Sequence, residues 1–324
     1  MSDTVSPEKI REVYQRITAE VGRVIVGQEP IVRLLLVSLF ARGHCLLVGV
    51  PGLAKTLLVK TLGEVLNLSF KRIQFTPDLM PSDIIGSELL QEREKGLEFV
   101  FQPGPVFANL LLADEINRTP PKTQSALLEA MQEHRVTVGG KSWLLPNPFL
   151  VVATQNPIEQ EGTYPLPEAQ LDRFLLRVAV GYPDADEEAE ILARRRRRRD
   201  DAITIAPVTS RDELLAMQAA LEDVHVADVT TRYIVELVRA TRADHRVALD
   251  ASPRGALALL KLSRALAALH RRDFVLPDDV KAMTVPALAH RLVLKPELWA
   301  SRISATHVVE TLLEQVPAPS AGTP

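Results

Sequence analysis

Gly49-Val-Pro-Gly52-Leu-Ala54-Lys55-Thr56, the stretch GVPGLAKT, follows a four-residue apolar run, Cys45 to Val48, and leads into a Leu- and Val-rich segment that reads as a helix. A strand that delivers a Gly- and Pro-containing loop to a helix N-terminus turns several backbone N–H groups toward one point, where the helix dipole adds partial positive charge. A nucleotide phosphate chain fits that arrangement. Lys55 is then set to reach the outer phosphates, and the Thr56 hydroxyl is a hard oxygen ligand suited to Mg²⁺. Val50, Pro51, Leu53 and Leu57 complete the loop and first helical turn and belong to the same nucleotide-binding set. Ala54 stands where a second glycine is usual, which predicts a negative φ at that position. A glycine turn that only caps a helix is the plainer alternative.

Outward from this loop, apolar runs at residues 70–75, 109–113, 149–153 and 174–180 are separated by segments long enough for crossover helices. With 45–48 they predict a largely parallel sheet, whose ligands sit at the carboxyl ends of the strands. Leu110-Leu-Leu-Ala113 delivers Asp114 and Glu115 to that edge. Asp114 would hold the Mg²⁺ shell, and Glu115 would polarise the attacking water as general base. Val151-Val-Ala-Thr-Gln155 likewise delivers Asn156, which could orient the water or touch the γ-phosphate, although Asn156-Pro157 is also a plain turn signal.

Arg173 lies just before a strand, where a planar, permanent cation suits developing phosphate charge; a surface ion pair with Asp172 is its alternative. Arg254 follows Ser252-Pro253 and so falls in the first turn of a helix, where the dipole disfavours a cation by roughly 0.3–1 kcal/mol. A nearby phosphate would remove that conflict, and a solvated arginine competes with it. Two further segments, Arg135 to Trp143 around Gly139-Gly140 and Glu88 to Phe101 around Lys95-Gly96, alternate as hairpins do.

With GVPGLAKT, LLLADE, ATQNP, QLDRF and SPRGA in this order, the chain resembles the AAA+ ATPases, and most closely the MoxR family, over roughly residues 7–316. The resemblance implies an α/β fold, an AAA+ P-loop NTPase core with a mostly parallel five-stranded sheet followed by an all-helical lid. The expected division is a nucleotide-binding domain at 1–182, a helical lid at 183–316 and a disordered tail at 317–324. The first of these carries an N-terminal helix, a helix-2 insert at about 76–105 and a pre-sensor-1 hairpin at about 134–148.

By the same resemblance, Gly27 and Gln28 lie near the adenine, Asn156 is sensor 1, Arg173 is the finger that completes a neighbour's site, and Arg254 is sensor 2 on the lid. The implied cofactors are ATP and Mg²⁺, and the implied reaction is hydrolysis to ADP and phosphate. A finger acting in trans requires a homo-oligomeric ring, a hexamer by analogy. MoxR relatives are linked to chaperone-like maturation of client proteins, often with a partner bearing a von Willebrand factor A domain.

Composition narrows the alternatives. With 38 basic and 41 acidic residues the net charge is -3, so no global positive field draws the chain to nucleic acid or a membrane surface. The arginine run Arg194 to Arg199 could contact phosphates, and a DNA-translocating, helicase-like motor is the second functional reading. Against it, the run ends an acidic helix (Glu187, Glu188, Glu190), where basic residues suit the C-terminus. A non-catalytic nucleotide-switched scaffold is the third reading, which Glu115 and Asn156 oppose. The single Cys45 points to a buried thiol and a reducing compartment. The polar start and an apolar run of only 11 residues (Ile31 to Ala41) argue against export or a membrane span, so a cytoplasmic location is expected.

Overall fold

A computed structural model describes residues 5–93, 96–158, 162–200, 203–298, 301 and 303–319. Residues 320–324 of the expected disordered tail, and Lys95 of the expected hairpin turn, lie outside the described residues.

The chain begins with α1 (Pro7–Gly22), whose N-cap Ser6 accepts from the Lys9 amide and whose Ile10, Val13, Ile17 and Val21 recur at helical spacing and are all buried. α2 (Glu29–Phe40) is apolar on most sides because it is covered on most sides. Then come β1 (Cys45–Val48), α3 (Lys55–Val65), β2 (Phe70–Gln74), the short α4 (Pro81–Ile85), and an antiparallel hairpin of β3 (Gly86–Arg93) and β4 (Gly96–Pro103). β5 (Leu110–Asp114), α5 (Pro121–Glu133), the hairpin β6 (Arg135–Val138) and β7 (Lys141–Leu144), β8 (Leu150–Gln155), α6 (Glu168–Leu171) and β9 (Leu176–Ala179) complete the α/β part.

Five strands form one sheet in the order β2-β5-β8-β1-β9, and every neighbouring pair is parallel. β5 is buried at every position and β8 at all but its last, as continuous aliphatic runs require when helices cover both faces. Parallel pairing brings the carboxyl ends Gln74, Asp114, Gln155 and Val48 to one edge. The two hairpins stand off the sheet and are tied to each other by the Phe101 and Trp143 rings, stacked 4.4 Å apart.

From Asp184 onward the chain builds α7 (Ala185–Arg198), α8 (Arg211–Ala220), α9 (Asp228–Ala243), α10 (Pro253–Leu269), α11 (Pro277–Leu288) and α12 (Ala305–Gln315). This part is not helical throughout. β10 (Val247–Leu249) and β11 (Val293–Leu294) pair antiparallel, two short β-rich stretches that a helical periodicity passes over. α7 starts with a capping box made by Asp184 and Glu187, and its arginine-rich end is tied down locally: Arg194 and Arg197 both pair with Glu190, and Arg194 also donates to the Gly22 carbonyl that ends α1. Among the described residues no helix is long and apolar enough to cross a membrane.

Candidate nucleotide site

Between the end of β1 and the start of α3 the backbone wraps around a cleft of about 430 Å³ at the carboxyl edge of the sheet. Residues 51–57 form one wall, and Asp114, Glu115, Thr154 and Asn156 form the other. Gly49 begins the turn because no side chain fits: an added Cβ would sit 2.6 Å from the Val180 carbonyl oxygen. The negative φ expected at Ala54 is not what the loop adopts. Ala54 lies at φ 54, ψ 19, in the left-handed region, as the N-cap of a helix that no side chain caps. The loop must turn its amides inward at this point, and the alanine takes the conformation at a cost of about 1–2 kcal/mol. Its methyl is small enough to be carried there, which explains how the position dispenses with glycine.

Lys55 Nζ donates to the Gly49 and Val50 carbonyls, each at 2.6 Å, so the ammonium is bent back over the loop it follows. Burial lowers its pKa, while the negative charges of Asp114 and Glu115 oppose that shift. The Thr56 hydroxyl donates to Asp114 Oδ2 at 3.2 Å. A hydroxyl and a carboxylate oxygen meeting beside a lysine form a donor set that fits a hard divalent cation with its remaining positions left to water and phosphate.

Four residues that the sequence reading did not single out, Thr154, Arg72, Gln74 and Arg118, complete the acidic wall. Thr154, fully buried, donates its hydroxyl proton to Asp114 Oδ1 at 2.6 Å and accepts from the Glu115 amide at 2.8 Å. One hydroxyl thereby fixes the metal-side carboxylate and the backbone of the neighbouring acid. Arg72 donates to Asp114 Oδ2 through Nε at 3.0 Å and a terminal nitrogen at 2.7 Å. It also donates to Gln74, whose amide in turn donates to Glu115 Oε2 at 2.8 Å. Arg118 pairs with the same Glu115 oxygen at 3.1 Å. Arg72 and Gln74 are polar residues two apart at the end of a strand, hence on one face, and that spacing was the available signal. Glu115 itself sits at φ 58, ψ 50, in the left-handed region, which costs a residue with a Cβ about 1–2 kcal/mol.

Asn156 lies in the cleft and is also the turn residue its Asn-Pro context suggests: its Oδ1 accepts from the Ile158 amide at 3.2 Å, which fixes the side chain. Gly27 and Gln28 do not line this cleft. Gln28 approaches the loop from behind, donating to the Leu53 carbonyl at 3.2 Å, and lines a separate hollow with Tyr14, Ile25 and Val32.

Arg173 and Arg254 are also outside the cleft. Both line a second pocket of about 250 Å³ at the seam between the α/β part and the helical part, together with His44, Asp172, Lys261 and Arg291. The alternative of an Arg173–Asp172 ion pair does not occur among the described residues. Asp172 instead takes Arg291 Nε at 2.8 Å, the Ser252 hydroxyl at 3.2 Å and Arg254 at 3.6 Å. The charge conflict of Arg254 in its first helical turn is thus relieved by a carboxylate from across the seam, while the side chain remains 54% exposed. His44 stays neutral, its pKa pushed down to about 4 by burial: Nδ1 accepts from the Val151 amide and Nε2 lies 3.1 Å from the Met131 carbonyl.

Comparison with known proteins bears on the family and the fold. Residues 44–176 match the family model described as ATPase family associated with various cellular activities (AAA), and residues 239–312 match the AAA lid domain. The chain is 46% identical over 319 residues to chaperone MoxR1 of Mycobacterium tuberculosis, covering 94% of this chain and 82% of that one. It is 32% identical to protein MoxR of Paracoccus denitrificans, covering 94% and 95% of the two chains. A crystal structure from Cytophaga hutchinsonii, described as a candidate ATPase, matches it with a TM-score of 0.89 at 42% identity, over 97% of both chains.

Proposed function

Since the chain belongs to the MoxR family of AAA+ ATPases, we propose that it hydrolyses ATP with Mg²⁺ and, as a homo-oligomeric ring, uses the cycle to remodel or mature partner proteins. The observation that carries the hydrolytic part is the contact of Thr56 with Asp114 beside Lys55 and Glu115 in one cleft. The loop amides and Lys55 bind and orient the phosphates. Thr56 and Asp114 would hold Mg²⁺, which would supply charge neutralisation at the outer phosphates. Glu115 takes the proton of the attacking water, and Asn156, fixed by its turn, orients that water. Thr154 keeps both acids in register.

Among the described residues the arginine that lines the cleft, Arg72, is engaged with Asp114 and Gln74 and is not placed as a finger. Arg173 and Arg254, at the seam, are read as serving the phosphates of a neighbouring subunit, which makes the ring part of the active site. Work on client proteins, and a von Willebrand factor A domain partner, rest on the family resemblance and on the relative named a chaperone.

The test is hydrolysis under assembling conditions, comparing the native chain with Glu115→Gln. The variant is expected to retain nucleotide binding while turnover drops by about 10²–10⁴-fold. Equal rates would remove Glu115 as the base. A client trapped by the Glu115→Gln ring in ATP, and released on exchange to ADP, is the expected sign of remodelling. Several-fold stimulation by DNA would favour the translocating motor instead.

A further inference from the structure

We propose that Arg291, a residue outside every recognised motif, is a positioning residue for Arg173: it holds the segment that bears the finger, so that the lid of one subunit sets the arginine offered to the next. This rests on the reading of Arg173 as a residue acting on a neighbour's phosphates.

Arg291 follows α11 and is almost wholly buried, with 3% of its side chain exposed. A guanidinium has five N–H donors in a rigid plane. Here they go to the segment around residue 173 and to the helix that precedes Arg291. Nε donates to Asp172 Oδ1 at 2.8 Å. One terminal nitrogen donates to the Asp172 and Phe174 carbonyls at 3.3 and 2.9 Å. The other donates to the Leu175 carbonyl at 3.4 Å and to the Ala287 carbonyl one turn back along its own helix. The peptide unit that enters Arg173 and the carbonyls of the two residues that follow it are therefore held by one side chain from the lid. His290 packs alongside, its Nε2 3.1 Å from the Phe174 carbonyl, and burial keeps it neutral, so it adds no repulsion to the cluster.

Arg173 has little to hold it otherwise. Its own Nε is buried without a hydrogen-bond partner among the described residues, and its backbone N–H donates to the Gln170 carbonyl as part of the preceding short turn. The direction of its side chain thus follows from the backbone of residues 172 to 175, and that backbone follows Arg291. Asp172 extends the coupling, since its second oxygen takes Ser252 and Arg254 at the start of α10. Two lid helices, the end of α11 and the start of α10, converge on the residues that carry the finger. A shift of the lid in one subunit would then move Arg173 relative to the next subunit's phosphates without any contact between the lid and that site.

Complementation in mixed rings separates positioning from simple cementing of two domains. In an Arg291→Met subunit the phosphate cleft is intact and only the finger offered onward is impaired; in a Glu115→Gln subunit the cleft is inactive and the finger is intact. Arg291→Met alone is expected to lower kcat about tenfold or more with KM for ATP within about twofold, the signature of an interaction made in the transition state. Co-assembly with Glu115→Gln should raise turnover per active cleft severalfold, because half of the impaired neighbours are replaced by competent ones. Asp172→Asn, which keeps the volume and removes the charge that Arg291 meets, should behave in the same way and serves if Arg291→Met assembles poorly. Arg173→Ala mixed with Glu115→Gln is the control. If that control fails to complement, the reading of Arg173 as a trans residue falls, and this proposal with it. If the control complements while neither Arg291→Met nor Asp172→Asn does, Arg291 is structural only and the proposal alone is overturned.

Discussion

The phosphate cleft and the core–lid seam are both rich in charge, and they balance it differently. In the cleft, Asp114 and Glu115 face Lys55, Arg72 and Arg118, and each acid is matched by bases of the same chain. At the seam a single acid, Asp172, stands among Arg173, Arg254, Lys261 and Arg291. The acids of the cleft are thus matched within the chain, whereas the seam carries a surplus of cations that suits an anion supplied from outside. On the proposed reading, the cleft is built within one subunit and the seam cations are offered to the next.

That contrast can be broken most directly at Arg173. Arg173→Ala should lower turnover of the assembled protein by about 10²–10³-fold, the scale of a lost transition-state charge donor, while calorimetric nucleotide affinity of the isolated subunit stays within about twofold. Equal loss of binding would put Arg173 in its own cleft and end the distinction.

Acid should act on the seam. His44 is buried neutral with a pKa near 4, against 6.5 when free. The unfolded chain takes up a proton as pH falls through 6.5 and the folded chain does not until about 4, so this contribution is complete above pH 6.5 and is lost on the way down to 4. The span corresponds to roughly 3 kcal/mol. His290, held well below its ordinary value by burial and by Arg291, pulls in the same direction. Denaturant titrations across that range should show the decline, and His44→Gln should flatten part of it; an unchanged slope would mean that His44 is protonated in the fold.

Smaller still is the effect expected at Thr154. Thr154→Val leaves the Glu115 amide and Asp114 Oδ1 short of a partner inside the cleft, which costs about 1–3 kcal/mol of stability and should depress turnover without changing assembly. Normal turnover would mean that the two acids keep their places without it. Smallest is Ala54→Gly, which relieves a left-handed alanine but loosens the unfolded chain, for a net gain of at most about 1 kcal/mol in thermal unfolding.

The same contrast explains what was legible in the sequence. Lys55, Thr56, Asp114, Glu115 and Asn156 each end or follow a strand in a contiguous motif, and parallel pairing alone brings them to one edge. Thr154 hides within its motif as a polar residue inside a buried strand, and Arg72 with Gln74 shows only as a polar pair at a strand end. The seam joins Asp172 to Ser252, 80 residues away, and to Arg291, 119 away, and no local pattern marks such a meeting. Buried arginines look like surface arginines until packing is known. Ala54 departs from the negative φ expected of it for a related reason: propensity favours negative φ, and loop geometry overrides it.

Cys45 lies at the start of the central strand β1, is 2% exposed, and burial raises its thiol pKa far beyond the ordinary range. It is also the only cysteine in the chain. The native protein is thus silent to thiol reagents, and a cysteine introduced at an exposed position such as Leu257, on the lid face beside Arg254, would be the single reactive handle for a fluorophore or crosslinker. Distances between subunits of the proposed ring could then be followed without first removing any native residue.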